Sequence, residues 1–125
     1  MMYAKATLFD NPDIAAQILS APHPNDAKKL GRQVKRFNEE IWNTERFKIV
    51  VRANRLKFEQ NQNLKAFLIA TQNKVIVEAS PVDKIWGVGL AENDPLIQDP
   101  KNWQGLNLLG YALMDVRAHL IKNSA

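Results

Sequence analysis

Residues 44–58 read TERFKIVVRANRLKF, and the spacing of the apolar members decides the fold class. Phe47, Val50, Val51, Asn54 and Phe58 recur at three- and four-residue steps, the repeat of one helix face, while Glu45, Arg46, Lys48, Arg52 and Arg55 fall between them. The pattern predicts a helix from Thr44, the longest of the chain.

Toward the N-terminus, Asn11-Pro12 reads as a helix start. Asn caps free amides, Pro is tolerated at the first helical position, and Ile14, Ile18 and Leu19 follow at helical spacing to an end near Ser20. Pro22 and Pro24 make the connection to a second helix, capped by Asn25 or Asp26 and stopped by Gly31. Toward the C-terminus, Asn61 breaks the long helix. Leu64, Phe67 and Leu68 then form the apolar face of another short helix, closed by a turn at Thr71-Gln72-Asn73. Val75-Ile76-Val77 is β-branched and bounded by turn residues, so a short buried strand is expected there. Pro81, Gly87, Gly89, Pro95 and Pro100 lie between Ser80 and Asn102, a density of breakers that predicts a long ordered loop, a place where function often resides. Leu109, Leu113, Val116 and Leu120 mark a final amphipathic helix. There is no internal repeat or low-complexity tract. The expected fold is mainly α: a single compact domain over 1–125, with one short strand and a long ordered loop near residues 80–102.

Composition narrows the function. A chain of 125 residues, 46% hydrophobic and 24% charged, is long enough for one core without disulfides or metals. No stretch approaches the roughly 20 apolar residues of a membrane span, and Met1 to Phe9 lack the pattern of a secretory signal, so a soluble cytoplasmic protein without membrane partners is expected. There is no cysteine, and His23 and His119 fit no zinc-ligand spacing, so no metal is predicted. The net charge of +4 suits a phosphate-bearing partner, but the basic residues are scattered, which ranks direct nucleic-acid binding last. Gly87-Val88-Gly89 lacks the further glycine and the strand-to-helix context of a dinucleotide fingerprint. No cofactor is expected.

Three stretches, in their order and spacing, carry a family resemblance. The first is Trp42 and Arg46 followed by Lys57-Phe58, Gln60-Asn61, Leu64, Leu68 and Thr71. The second is Val77-Glu78-Ala79-Ser80, Asp83, Trp86-Gly87, Gly89 and Leu90. The third is Trp103, Gly105, Asn107, Leu109-Gly110, Leu113-Met114, Val116-Arg117 and Leu120. With Met2, Lys5 and Ala6 near the start, they resemble the NADAR (YbiA-like) family over nearly the whole chain. The stretch VEASPVDKIWGVGL, residues 77–90, is the most specific part. The family's opening segment, with a Phe-Ser-Asn-Phe type motif and a glutamate before the first long helix, has no counterpart here. The resemblance therefore implies an N-terminally short YbiA-like helical domain whose residue 1 lies inside an element and whose site lacks one acidic group.

The resemblance implies an N-glycosidase that hydrolyses the bond between a nitrogen and the anomeric carbon of a phosphorylated ribosyl compound, either a riboflavin-pathway intermediate or an ADP-ribosylated base. Lys5 matches the family lysine placed to form an imine with the opened sugar, a role that needs an uncharged amine, though alone it reads as a surface lysine. Asp83, in the breaker-rich loop, is the candidate for proton transfer or sugar orientation, against a loop-capping role. Glu78 is the candidate second carboxylate, or an ion-pair partner for an arginine such as Arg46. Trp86 can stack on a base or ribose, with Gly87 letting backbone approach the ligand; Trp42 can do the same from the entry to the long helix or serve as packing. Trp103 reads as packing. Asn107 is a helix cap or a ligand hydrogen-bonder, and Arg46 and Arg117 are phosphate anchors or surface ion pairs. The alternative function is a non-catalytic module that binds ADP-ribose or a related nucleotide. A homodimer covering exposed apolar surface is a further expectation.

Overall fold

A computed structural model of the protein describes residues 1–124. The chain gathers into two compact units, Met1–Ile49 and a second that begins at Val50, the division falling inside the longest helix. Among the described residues the only repeating secondary structure is helical.

The first unit holds α1 (Met2–Leu8), α2 (Pro12–Leu19), α3 (Pro24–Gly31) and the start of α4 (Glu39–Glu59). Its core is Ala6, Phe9, Ala15 and Val34, with Ile14, Ile18 and Trp42 packed against them. α2 begins and ends where its sequence pattern placed it, but Asn11 makes no side-chain cap. Its Nδ2 instead donates to the Phe9 carbonyl (2.9 Å) and the Lys35 carbonyl (2.9 Å), while Oδ1 accepts from the Lys35 amide (2.8 Å). One buried amide thus joins two distant loops. α3 starts at Pro24, ahead of the expected caps Asn25 and Asp26, because the fixed φ of proline suits a first helical residue. α4 starts at Glu39 rather than Thr44: Asn38 Oδ1 accepts from the Ile41 amide (3.0 Å), and Glu39 and Glu40 complement the positive end of the helix. Trp42 is therefore inside the helix.

The second unit contains the rest of α4, α5 (Gln62–Ala70) and α6 (Leu108–Ser124). Leu68, Val116 and Leu120 form its buried cluster, with Val51, Phe58, Ile69 and Ile76 against it. Full burial of each such aliphatic side chain contributes about 1.5–3 kcal/mol. α5 follows Asn61 and α6 carries the predicted apolar series, of which Val116 and Leu120 are the most buried. The stretch Val75–Val77 is not a strand: no neighbouring backbone ladder accompanies it. Its inward partners are supplied by one side chain, Asn107, which bonds the Ile76 carbonyl and the Glu78 amide. The breaker-rich stretch holds two 3-10 turns, Pro95–Gln98 and Pro100–Asn102, each capped by an aspartate, Asp94 and Asp99. No helix among the described residues is long and apolar enough to cross a membrane.

Candidate active site

In the second unit, residues 78–88 and 104–109 are tied into one knot of backbone hydrogen bonds. The Val88 amide donates to the Glu78 carbonyl (3.0 Å), Gln104 to Val88 (2.8 Å), Leu106 to Lys84 (2.9 Å), Asn107 to Gly87 (3.0 Å) and Leu109 to Trp86 (3.1 Å). Gly87 sits at the centre. A Cβ there would lie 2.8 Å from the Asp83 carbonyl oxygen and 3.0 Å from that of Glu78, so only glycine lets both backbones converge. The knot brings Glu78, Asp83, Trp86 and Asn107 together, as neighbours around a single turn.

Asp83 closes that turn. Its Oδ1 accepts from the amides of Ile85 (3.0 Å) and Trp86 (2.8 Å), and its own amide donates to Ser80 Oγ (3.1 Å). This is the turn-capping use of an aspartate, and it fixes the carboxylate while Oδ2 has no protein partner among the described residues. Glu78 and Trp86 are both half-buried.

Asn107 is fully buried, with a left-handed backbone at φ 52°. Its Oδ1 accepts from the Glu78 amide (2.9 Å) and its Nδ2 donates to the Ile76 carbonyl (3.0 Å). Both bonds go to the 76–78 backbone rather than to the first turn of α6, so the side chain holds the backbone that carries Glu78. Arg117, also buried, donates to Thr71 Oγ1 (2.9 Å) and the Lys74 carbonyl (2.8 Å), which makes it a clamp for the turn after α5. A cavity of about 690 Å³ is lined by Val75, Val77, Ala79, Glu92 and Trp103 among others, on the alternate residues to Ile76 and Glu78. Asp83, Glu78 and Trp86 do not line it. Trp103 is anchored at its rim by Nε1 donating to the Ile97 carbonyl (2.9 Å).

In the first unit, Lys5 projects from α1 with its Nζ 4.7 Å from the Phe37 ring centroid and 5.8 Å from that of Trp42. Burial pushes its amine below the usual lysine range, since the charged form loses hydration. No carboxylate pairs with Lys5 among the described residues. Arg46 is also without an ion pair there, and its Nε is buried with no hydrogen-bond partner. Phe37 was not singled out by sequence reasoning: a lone phenylalanine between polar residues carries no periodic signal. The described residues contain no group of three or more histidine, aspartate and glutamate side chains arranged to hold a metal ion.

The model of the NADAR domain family matches residues 1–121. An N-glycosidase of Acanthamoeba polyphaga mimivirus is 45% identical over 117 residues, covering 94% of this chain and 69% of the viral one. Protein irg-1 of Caenorhabditis elegans is 41% identical over 121 residues, 95% of this chain and 57% of its own length. The chloroplastic riboflavin biosynthesis protein PYRR of Zea mays is 34% identical over 119 residues, 90% of this chain and 17% of the plant protein. The chain thus spans only part of each of these relatives.

Proposed function

We propose that this chain, which belongs to the NADAR family, is an N-glycosidase that hydrolyses the N-glycosidic bond of a phosphorylated ribosyl compound, a riboflavin-pathway intermediate or an ADP-ribosylated base. The observation that carries the reading is Lys5: an amine held against two aromatic rings, unpaired by any carboxylate among the described residues, and pushed by burial toward its neutral, nucleophilic form. The names of the relatives, one an N-glycosidase and one a riboflavin biosynthesis protein, support the reaction class and the substrate class. The match of one domain family over residues 1–121 supports reading the chain as a single functional domain.

The roles follow from what each group can do. The neutral Lys5 amine attacks the anomeric carbon, and the carbon–nitrogen bond to the base breaks as the base takes up a proton. The sugar ring then opens, its ring oxygen gaining a proton as Lys5 forms an imine. Water adds to the imine carbon and the lysine departs, so base and sugar leave with the elements of one water between them. Asp83, fixed by two backbone amides, and Glu78, fixed through Asn107, are the groups assigned to move these protons and orient the sugar. Trp86 and Trp42 supply aromatic faces, and Gly87 lets the Asp83 and Glu78 backbones converge beside Trp86, on the side of the site assigned to substrate. Arg46 is assigned to the phosphate, because its buried Nε has no protein acceptor and a phosphate oxygen would satisfy it.

The test uses the purified chain with a phosphorylated aminopyrimidine riboside and, separately, an ADP-ribosylated nucleic acid, with released sugar quantified by mass spectrometry. Turnover that disappears in Lys5→Ala and Asp83→Ala is the expected result. A folded protein that binds ADP-ribose without turning over either substrate would replace the enzyme with a nucleotide-binding module. Light scattering at micromolar concentration tests the accompanying proposal of a homodimer.

A further inference from the structure

We propose that Phe37 is a positioning residue for Lys5: its ring, together with that of Trp42, forms an aromatic seat that holds the lysine amine in one place, and Asn11 fixes the seat. Three separate elements build it: α1 carries the amine, the loop before α4 carries Phe37, and α4 carries Trp42. Both ring centroids lie within the roughly 6 Å over which an aromatic face attracts a cation. A lysine side chain otherwise explores many rotamers, and the seat selects those that keep Nζ over the rings.

Phe37 is a substantially exposed aromatic, yet its position is determined from several directions. Its ring meets the buried Phe9 edge to face, with centroids 5.2 Å apart and planes at 63°. Its backbone follows Arg36, a non-glycine residue in the left-handed region at φ 61°, whose guanidinium donates to the Asp10 carbonyl. Lys35, one step earlier, gives both its amide and its carbonyl to the Asn11 side chain. A sparsely populated backbone conformation is kept only where its surroundings over-determine it. Here the result of that arrangement is a phenylalanine ring against the amine of Lys5.

Two opposed effects then act on Lys5. Burial disfavours the ammonium, whereas the negative faces of the rings favour it. The charged and titratable groups on the surrounding elements are the Met1 amino group just before α1 and Tyr3 on it, Asp10, His23, Arg32, Lys35 and Arg36 in the flanking loops, Asp13 on α2, and Asp26, Lys28 and Lys29 on α3. On α4, Glu39, Glu45 and Arg46 share the helix face of Trp42, three or four residues away. None of them pairs with Lys5 among the described residues, so the rings are the groups in contact that favour its charge.

The bearing of the seat on turnover rests on Lys5 being the nucleophile, so the experiment reads the amine and the reaction separately. Phe37 is replaced site-specifically by mono-, di- and trifluorinated phenylalanine, which keep the shape of the ring while withdrawing charge from its face, and by Phe37→Tyr. The titration of Lys5 is followed by the pH dependence of its acetylation, read by peptide mass spectrometry on protein shown to be folded by circular dichroism. The expected result is a stepwise fall in the Lys5 midpoint, reaching about half a pH unit for the trifluorinated ring, with Phe37→Tyr close to the parent. A midpoint that stays constant through the series would overturn the seat. The acid limb of kcat/KM should fall with the midpoint while KM changes little. A midpoint that moves under an acid limb that does not would keep the seat and remove Lys5 from the nucleophile's role.

Discussion

Replacing Asn107 should cost more stability than any other single polar substitution in the second unit. The residue is fully buried and its amide serves the Glu78 N–H at 2.9 Å and the Ile76 carbonyl at 3.0 Å. In Asn107→Ala both groups lose their partner. An orphaned group costs about 1–3 kcal/mol, and the part-buried setting, where water recovers some of the loss, places each near the lower end, or about 2–3 kcal/mol together. The left-handed backbone at φ 52° adds about 1 kcal/mol for alanine, which tolerates that region poorly. The expected total is about 3–4 kcal/mol, a large part of the roughly 5–15 kcal/mol available to a domain. Asn107→Gly meets the backbone requirement and loses only the hydrogen bonds, so it should be about 1 kcal/mol less damaging than alanine. Urea titrations followed by far-UV circular dichroism and tryptophan fluorescence measure both. An alanine variant within about 1 kcal/mol of the parent would refute the assignment of Asn107 as the support of the Ile76 carbonyl and the Glu78 amide. A glycine variant no better than alanine would refute the backbone part alone.

Gly87→Ala places a Cβ 2.8 Å from the Asp83 carbonyl oxygen and 3.0 Å from that of Glu78; the forced shift should cost about 1–3 kcal/mol in denaturant titrations and reduce kcat while the protein stays folded. Arg117→Met keeps the bulk of the side chain but leaves Thr71 Oγ1 and the Lys74 carbonyl without their donor, lowering stability by about 1.5–3 kcal/mol and, since Arg117 is not assigned to substrate, leaving KM near the parent value. Lys5→Met should abolish turnover without lowering Tm. The sign follows from burial: the folded Lys5 holds its proton less tightly than an unfolded lysine at about 10.4, so the unfolded chain binds more protons between those two values and stability rises with pH there. Urea midpoints measured across the alkaline range should show that rise in the parent and lose it in Lys5→Met. The turnover of the parent should likewise reach its plateau at a lower pH than an ordinary lysine would allow, as read from kcat/KM against pH.

What local sequence determines here is the set of helices. The apolar repeat of 44–58, the Asn11-Pro12 start and the series Leu109, Leu113, Val116 and Leu120 each lie within one element, where i to i+4 neighbours decide the outcome, and each is helical, with the expected break at Asn61 between α4 and α5 and only the start of α4 moved back to Glu39. The neighbourhood of Glu78, Asp83, Trp86 and Gly87 was equally legible, because those residues fall within one short motif. Long-range partners decided the rest. Asn11 read as a cap and Asn107 as a cap or ligand, but their side chains bond backbone 24 and 31 residues away, a choice that no local spacing encodes. The same distance removed the expected strand: Val75–Val77 has the composition for one, and a single asparagine from the start of α6 took the place of a neighbouring strand. Phe37 became meaningful only when three separate elements met around the amine of Lys5. Periodicity and breakers act over a few residues and are written in order along the chain, whereas a hydrogen-bond partner or an aromatic face is selected by packing, which only the tertiary structure specifies.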